Sequence, residues 1–214
     1  MLTVVGHRDI RYPPFCMEVS MKRLLLVSAF AVFLSACGMQ SIPTQKNEVE
    51  ASLAEITNQY KRRADLIPNL VSTVKGYASH EKDTLQGVTE ARAKATQLTV
   101  DASSLTPEKL ANFRKVQGDL SMALGKLMSI AENYPQLKAD TQFRDLQAQL
   151  EGTENRITVA RNRYIVTVKD FNNLVSVPPT SWTNSILYHN EKMPQWDVSA
   201  AEKEQVQKAP EVKF

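Results

Sequence analysis

The sequence predicts an all-α fold, an elongated antiparallel helical bundle with long first and last helices, and three observations carry that prediction. Apolar residues recur at spacings of three and four along three long segments, the period of a helix that buries one face. Glycine and proline are few, seven and ten in 214 residues, and the prolines gather towards the end. No period-two alternation of a half-buried strand precedes residue 178. A chain of this length is one domain at its simplest. Stripes of this kind are buried when helices pack side by side at shallow angles. An open coiled coil between chains reads from the same stripes, provided charges beside the seam pair across partners.

Residues 1–20 belong to no element of that pattern and read as an extension ahead of a start at Met21. Met21-Lys22-Arg23 is a positive n-region, Leu24 through Leu34 an apolar h-region, and Ser35-Ala36 the small residues of a cleavage site. The apolar run is about half of the roughly 20 residues a spanning helix needs. A removable segment over 21–36 is therefore expected, ending just before Cys37. The stretch resembles a bacterial lipoprotein signal, in which that thiol receives diacylglycerol and the new amino terminus is acylated. Two or more acyl chains hold a protein stably where one holds it only reversibly. Residues 37–46 are then a tether. Gly38 stands where Asp commonly retains such proteins in the inner membrane, so a diderm host would carry this one on the periplasmic face of the outer membrane. With Cys16 outside the mature chain and Cys37 acylated, no internal disulfide forms.

The bundle is expected over 47–177. Its first segment carries Val49, Leu53, Ile56, Tyr60, Ile67, Val71, Val74, Ala78, Leu85 and Val88 in one phase, about 75 Å of helix at about 1.5 Å per residue if unbroken. Pro68 removes a backbone donor and crowds the carbonyl of Ala64, so a kink or a restart is expected there. Ser79-His80-Glu81 is a second weak point. The next helix starts where Thr106 can cap, Pro107 suits the first turn and Leu105 can pack on Leu110. Its stripe is Leu110, Phe113, Val116, Leu120, Leu124, Leu127 and Ala131, and Tyr134-Pro135 ends it. The last helix carries Phe143, Leu146, Leu150, Thr153, Ile157, Ala160, Tyr164, Val168, Phe171 and Leu174, close to a heptad seam. Val177-Pro178-Pro179 stops it. The tail over 178–214 holds Trp182, Ile186, Leu187, Tyr188 and Trp196, too aromatic for a solvated linker. It either folds back on the bundle or docks a partner, with Trp182, Tyr188 and Trp196 as candidate anchors.

Charge and motif content narrow the chemistry. Residues 1–36 hold four basic residues (Arg8, Arg11, Lys22, Arg23) and two acidic ones (Asp9, Glu18), so without them the net charge falls from +3 to +1. Nucleic-acid binding would need Lys and Arg clustered on one face, and the sole short run, Lys61-Arg62-Arg63, reads as a solvated helix face. No nucleic-acid partner is expected. Closely spaced glycines before a helix, which cradle phosphates, are absent. His80-Glu81 is followed by Thr84 where a zinc-protease helix needs its second histidine, so no metal is expected. Ser72-Thr73-Val74-Lys75 has the spacing of an acyl-transfer nucleophile but lacks the accompanying strings. No cofactor is expected either.

Three strings carry a family resemblance: Val49-Glu50-Ala51 with Gln59 through Val71, Val74-Lys75-Gly76-Tyr77-Ala78 with His80-Glu81, and Leu150-Glu151-Gly152-Thr153-Glu154-Asn155-Arg156-Ile157 with Ala160-Arg161. Together they resemble the signature of the LemA family. Val88 through Ala93 and Tyr134 through Ala139 extend the likeness, which covers about Asn47 to Val177, and Pro210, Val212 and Phe214 look like a family C-terminus. Ile165, Phe171 and the stretch Trp182 to Trp196 depart from it. The resemblance implies an envelope protein anchored at its amino end, with a bundle of four helical segments and no established enzymatic activity.

Within those strings Arg62, Arg63, Asp65, Asn69, Glu154, Asn155 and Arg156 sit beside apolar seams. Buried charge pairs can set register between helices, so Arg63 or Asp65 is expected to meet Glu154 or Arg156 across the bundle. Solvation of all of them, or a surface for another protein, are the other readings. The function expected is a non-enzymatic scaffold or adaptor at a membrane surface, held by its N-terminal lipid and binding an envelope protein not identified by the sequence. Self-assembly into a homo-oligomer that shapes membrane is one alternative, and a cryptic envelope hydrolase is the other.

Overall fold

The computed structural model describes residues 15–196, with side chains from Gln40 onwards. The side chain of Cys37 and the closing Pro210, Val212 and Phe214 lie outside the described residues. Helix α1 runs Phe15–Tyr77, α2 Lys82–Gln97, α3 Pro107–Ala131, α4 Pro135–Ala139, α5 Thr141–Ser176 and α6 Thr180–Thr183, followed by a π-helical turn over Asn184–Tyr188. Among the described residues there is no strand, and no helix is long and apolar enough to cross a membrane.

The four long helices run alternately up and down. Along α1 and α5, Gln45 donates to Thr167 O, Arg63 meets Glu154, and Tyr77 reaches Asp140. Rising numbers on α1 against falling numbers on α5 make the pair antiparallel, and it is the most extensive pairing in the molecule. Helix α2 folds back on α1 about Ala78 and packs beside α3. Thr106 caps α3 by accepting from the Lys109 amide at 3.2 Å, with Pro107 at the first turn. Asp140 caps α5 by accepting from the Phe143 amide at 2.9 Å.

The first helix does not restart at Pro68. It runs continuously through that residue and breaks only at Ala78–Glu81. Proline leaves the carbonyl four residues earlier without its helical donor, and here that carbonyl, Ala64, accepts instead from Arg92 Nε of α2 at 2.8 Å. The partner for the freed acceptor comes from a neighbouring helix, so the chain has no need to unwind. The long phase through Leu85 and Val88 therefore belongs to two antiparallel helices.

The core forms two clusters. One joins Ile67, Leu70 and Val74 to Leu85, Val88, Leu120, Leu127, Leu137 and Phe143. The other joins Ile42, Val49, Ile56 and Tyr60 to Leu110, Phe113, Ile157, Tyr164 and Phe171. Ile42 is fully buried, so the core reaches past the boundary drawn at residue 47 into the stretch expected to be a tether. Helix α2 covers only the first cluster. Over the second, the loop residues Leu98, Val100 and Leu105 and the returning tail take its place. From α5, Tyr164 donates its hydroxyl to Pro194 O of that tail at 2.9 Å, and Asn172 exchanges two hydrogen bonds with its Met193.

Candidate functional site

A polar layer separates the two clusters. On α1 the buried positions follow Val49, Leu53, Ile56, Tyr60, Arg63, Ile67, Leu70 and Val74, so Arg63 holds the core position between Tyr60 and Ile67. On α3 they follow Leu110, Phe113, Gln117, Leu120, Leu124 and Leu127. Gln117 is buried where Val116 was expected, and Leu70 where Val71 was expected. Strict alternation of three and four steps, carried through polar residues as well as apolar ones, picks out both Arg63 and Gln117.

Arg63 is 1% exposed. Its Nη1 donates to Glu154 of α5 and to Ser121 Oγ of α3 at 2.8 Å. Its Nη2 donates to the backbone carbonyl of Gln117 at 3.1 Å and to Gln117 Oε1 at 2.8 Å. The guanidinium lies 4.9 Å from the centre of the Tyr60 ring, a cation–π distance. One buried side chain thus ties α1 to α3 and α5. Its Nε finds no acceptor. Burial raises the Tyr60 hydroxyl above its ordinary pKa, with Arg161 and Arg63 pulling the other way.

The remaining predicted residues are placed differently. Arg62, Asp65, Asn69, Asn155 and Arg156 are exposed. Arg156 bonds within its own helix, at Thr153 Oγ1. Reading Lys61-Arg62-Arg63 as a solvated face holds for Lys61 and Arg62 and fails for Arg63, because a helical period of 3.6 residues turns one of any three neighbours inward. Of the tail residues, Trp196 packs edge-on against Phe113 and Tyr164 at 6.3 and 6.1 Å between ring centres. Tyr188 lies against the same cluster, whereas Trp182 is 64% exposed. Ser72, Lys75 and His80 are exposed. Among the described residues no three His, Cys, Asp or Glu side chains stand close enough to hold a metal ion.

Above Arg63, α3 and α5 stand apart and leave a groove of about 490 Å³. Helix α3 lines it with Ser121, Leu124, Gly125 and Met128, and α5 with Gln147, Leu150, Glu151 and Glu154. Both sets follow steps of three, four and seven, so the groove is two facing helix ridges with Arg63 as its floor. Leu124, Met128 and Leu150 make it apolar along the middle. Gln147 donates to Glu151 at 3.0 Å and leaves the carboxylate at the rim. A cavity of this size with an apolar base and few polar groups can seat side chains of a partner or a small apolar ligand.

A protein-family model described as the LemA family matches residues 52–214. Protein LemA of Metamycoplasma hominis is 25% identical over 141 residues, which is 66% of this chain and 59% of that protein. The chain therefore spans less than two thirds of that relative's length. Arg63, Pro68, Arg92 and Glu154, the residues that tie helix to helix, all lie in the strings on which the resemblance was read.

Proposed function

Since the chain belongs to the LemA family, we propose that it acts by binding, as a scaffold or adaptor held at a bacterial membrane surface through a lipid on Cys37. The observation that supports this most is the groove between α3 and α5, fixed open by the Arg63 layer. A groove built on rigid helices and supported from below is pre-organised for a partner, because little ordering is left for the binding event. The partner it suits presents apolar side chains flanked by a donor for Glu151. On this reading the mature helix begins at Cys37. The groove then stands about 39 Å from the acylated residue, counting 26 residues of α1 at about 1.5 Å each.

The test is cross-linking in cells followed by mass spectrometry of the captured complexes, on the natural chain, Cys37→Ala and Gly125→Phe. Gly125 faces open space, so a phenyl ring there fills the groove without displacing the core. A partner captured by the natural chain and lost in both variants supports an adaptor that works at a membrane. Capture unaffected by Gly125→Phe removes the groove from the account.

A further inference from the structure

The tail turn and the start of the packed bundle lie at the same end of the molecule. Ile42 shares its cluster with Phe171, and Leu174, Val175 and Tyr188 pack against it. Helix α6 touches both α1 and α5. Cys37 is five residues before Ile42 on the same helix, about 7.5 Å along its axis. At this end Val177, Trp182, Ile186 and Leu187 are 53%, 64%, 72% and 52% exposed.

The segment is built to present those side chains. Asn184, 7% exposed, donates to Asn190 O at 2.9 Å and accepts from Asn190 N at 3.0 Å. His189 closes the turn with a left-handed φ of 53° and donates its amide to Asn184 O at 2.7 Å. With its backbone tied inward in this way, the turn can enter an apolar medium at smaller cost. From Phe171 to Asn190 there is no Asp, Glu, Lys or Arg, in a chain that is 23% charged. A charge-free turn with an exposed tryptophan matches the layer of a bilayer between headgroups and chains, where tryptophan concentrates.

We infer that the turn over Trp182 to Leu187 lies in the interfacial layer of the bilayer beside the Cys37 lipid, as a second contact that sets the tilt of the bundle. This rests on the reading of Cys37 as the anchor. A lipid at the tip of one helix leaves the bundle free to lean. A rigid apolar turn on the neighbouring helix end adds a second point and fixes which side of the bundle faces away from the membrane.

The experiment uses the full acylated chain carrying Trp196→Phe, which leaves Trp182 as its one tryptophan, in vesicles of phosphatidylethanolamine and phosphatidylglycerol with or without brominated acyl chains. Trp182 emission should fall about twofold with the brominated lipid, and Ile186→Ser with Leu187→Ser should abolish that loss while the protein still floats with the vesicles. Unquenched Trp182 in protein that floats overturns the inference and leaves the anchor standing. A photo-cross-linker at position 186 that captures protein and no lipid in cells also overturns it. If Cys37 carries no acyl chain by mass spectrometry, the anchor reading fails separately. The same vesicles added to the unacylated chain then decide the turn, and absence of quenching overturns it.

Discussion

Arg92 of α2 donates its Nε–H to the carbonyl of Ala64 on α1 at 2.8 Å, and that carbonyl is the one Pro68 cannot address. A helix-breaking residue has been accommodated by a side chain from the next helix, and the same bond fastens α2 to α1. The two residues are therefore thermodynamically linked through a third.

That linkage has a measurable form. Arg92→Met should cost about 1–2 kcal/mol in urea unfolding, the range for a charge-assisted bond that is partly solvated. In a Pro68→Ala background the new amide can reach Ala64 itself, so the Arg92→Met cost should fall below about 0.5 kcal/mol. Equal costs in both backgrounds would show that Arg92 acts by packing alone.

The Arg63 layer should behave as a buried charge supported by several acceptors. Arg63→Ala leaves Gln117 and Glu154 unpaired and opens a cavity, a loss of about 3 kcal/mol. Glu154 is 44% exposed, so Glu154→Gln should cost less, about 1–2 kcal/mol. The pair Arg63→Met with Glu154→Leu should recover much of the stability, as apolar replacements of buried pairs do. Additive costs in the double-mutant cycle would mean that the two side chains are not coupled.

Trp196 closes the half of the core that α2 does not reach. Trp196→Ala removes its edge-on contacts with Phe113 and Tyr164 and should cost about 2–3 kcal/mol, less than a fully buried tryptophan. Proteolysis of the tail should accelerate in the same variant. Unchanged proteolysis would indicate that Met193 and Asn172 hold the segment without it.

Asp140 and Tyr77 give the bundle a pH signature at its far end. The Asp140 carboxylate is held below its ordinary range by the Phe143 amide first and the Tyr77 hydroxyl second. Its contribution is present above the ordinary carboxylate pKa and is lost as pH falls through the lowered folded value. Tyr77 is raised by its hydrogen bond to Asp140, so its contribution is present below the ordinary tyrosine value and is lost as pH rises through the raised one. Melting temperature against pH should therefore drop at both the acid and the alkaline ends. Tyr77→Phe should reduce the alkaline drop and soften the acid one, whereas Asp140→Asn, which keeps a cap, should reduce both. The remainder belongs to Tyr60, Tyr134 and Tyr164, which are also raised, and to Asp101 and Glu108, which are also lowered.

Gly125 offers a substitution that separates stability from binding. Alanine there meets nothing within 4 Å, and replacing glycine inside a helix should stabilise by about 0.5–1 kcal/mol. Gly125→Phe should keep the circular dichroism of the natural chain and lose the partner that the groove holds. Loss of helicity in Gly125→Phe would show that the groove is filled by movement of α3 or α5.

The sequence by itself determined the helical state of the segments within 47–177 and most of the positions they bury. Leu110, Phe113, Leu120, Leu124, Leu127 and Ala131 are all buried on α3, Thr106 and Pro107 start it, and α5 ends at Ser176 before the two prolines. These follow from periodicity, capping and backbone sterics, which act between residues a few places apart. Tertiary structure decided the rest. Whether Pro68 ends a helix depends on a donor 24 residues further along the chain. Whether Arg63 is solvated depends on Gln117, Ser121 and Glu154 converging on one core position. Trp182 and Trp196 stand in similar local surroundings, yet only Trp196 meets Phe113 and Tyr164, because the tail runs back along α5 after the turn. A local pattern states what a segment can bury or bond, and distant residues supply or withhold the partner.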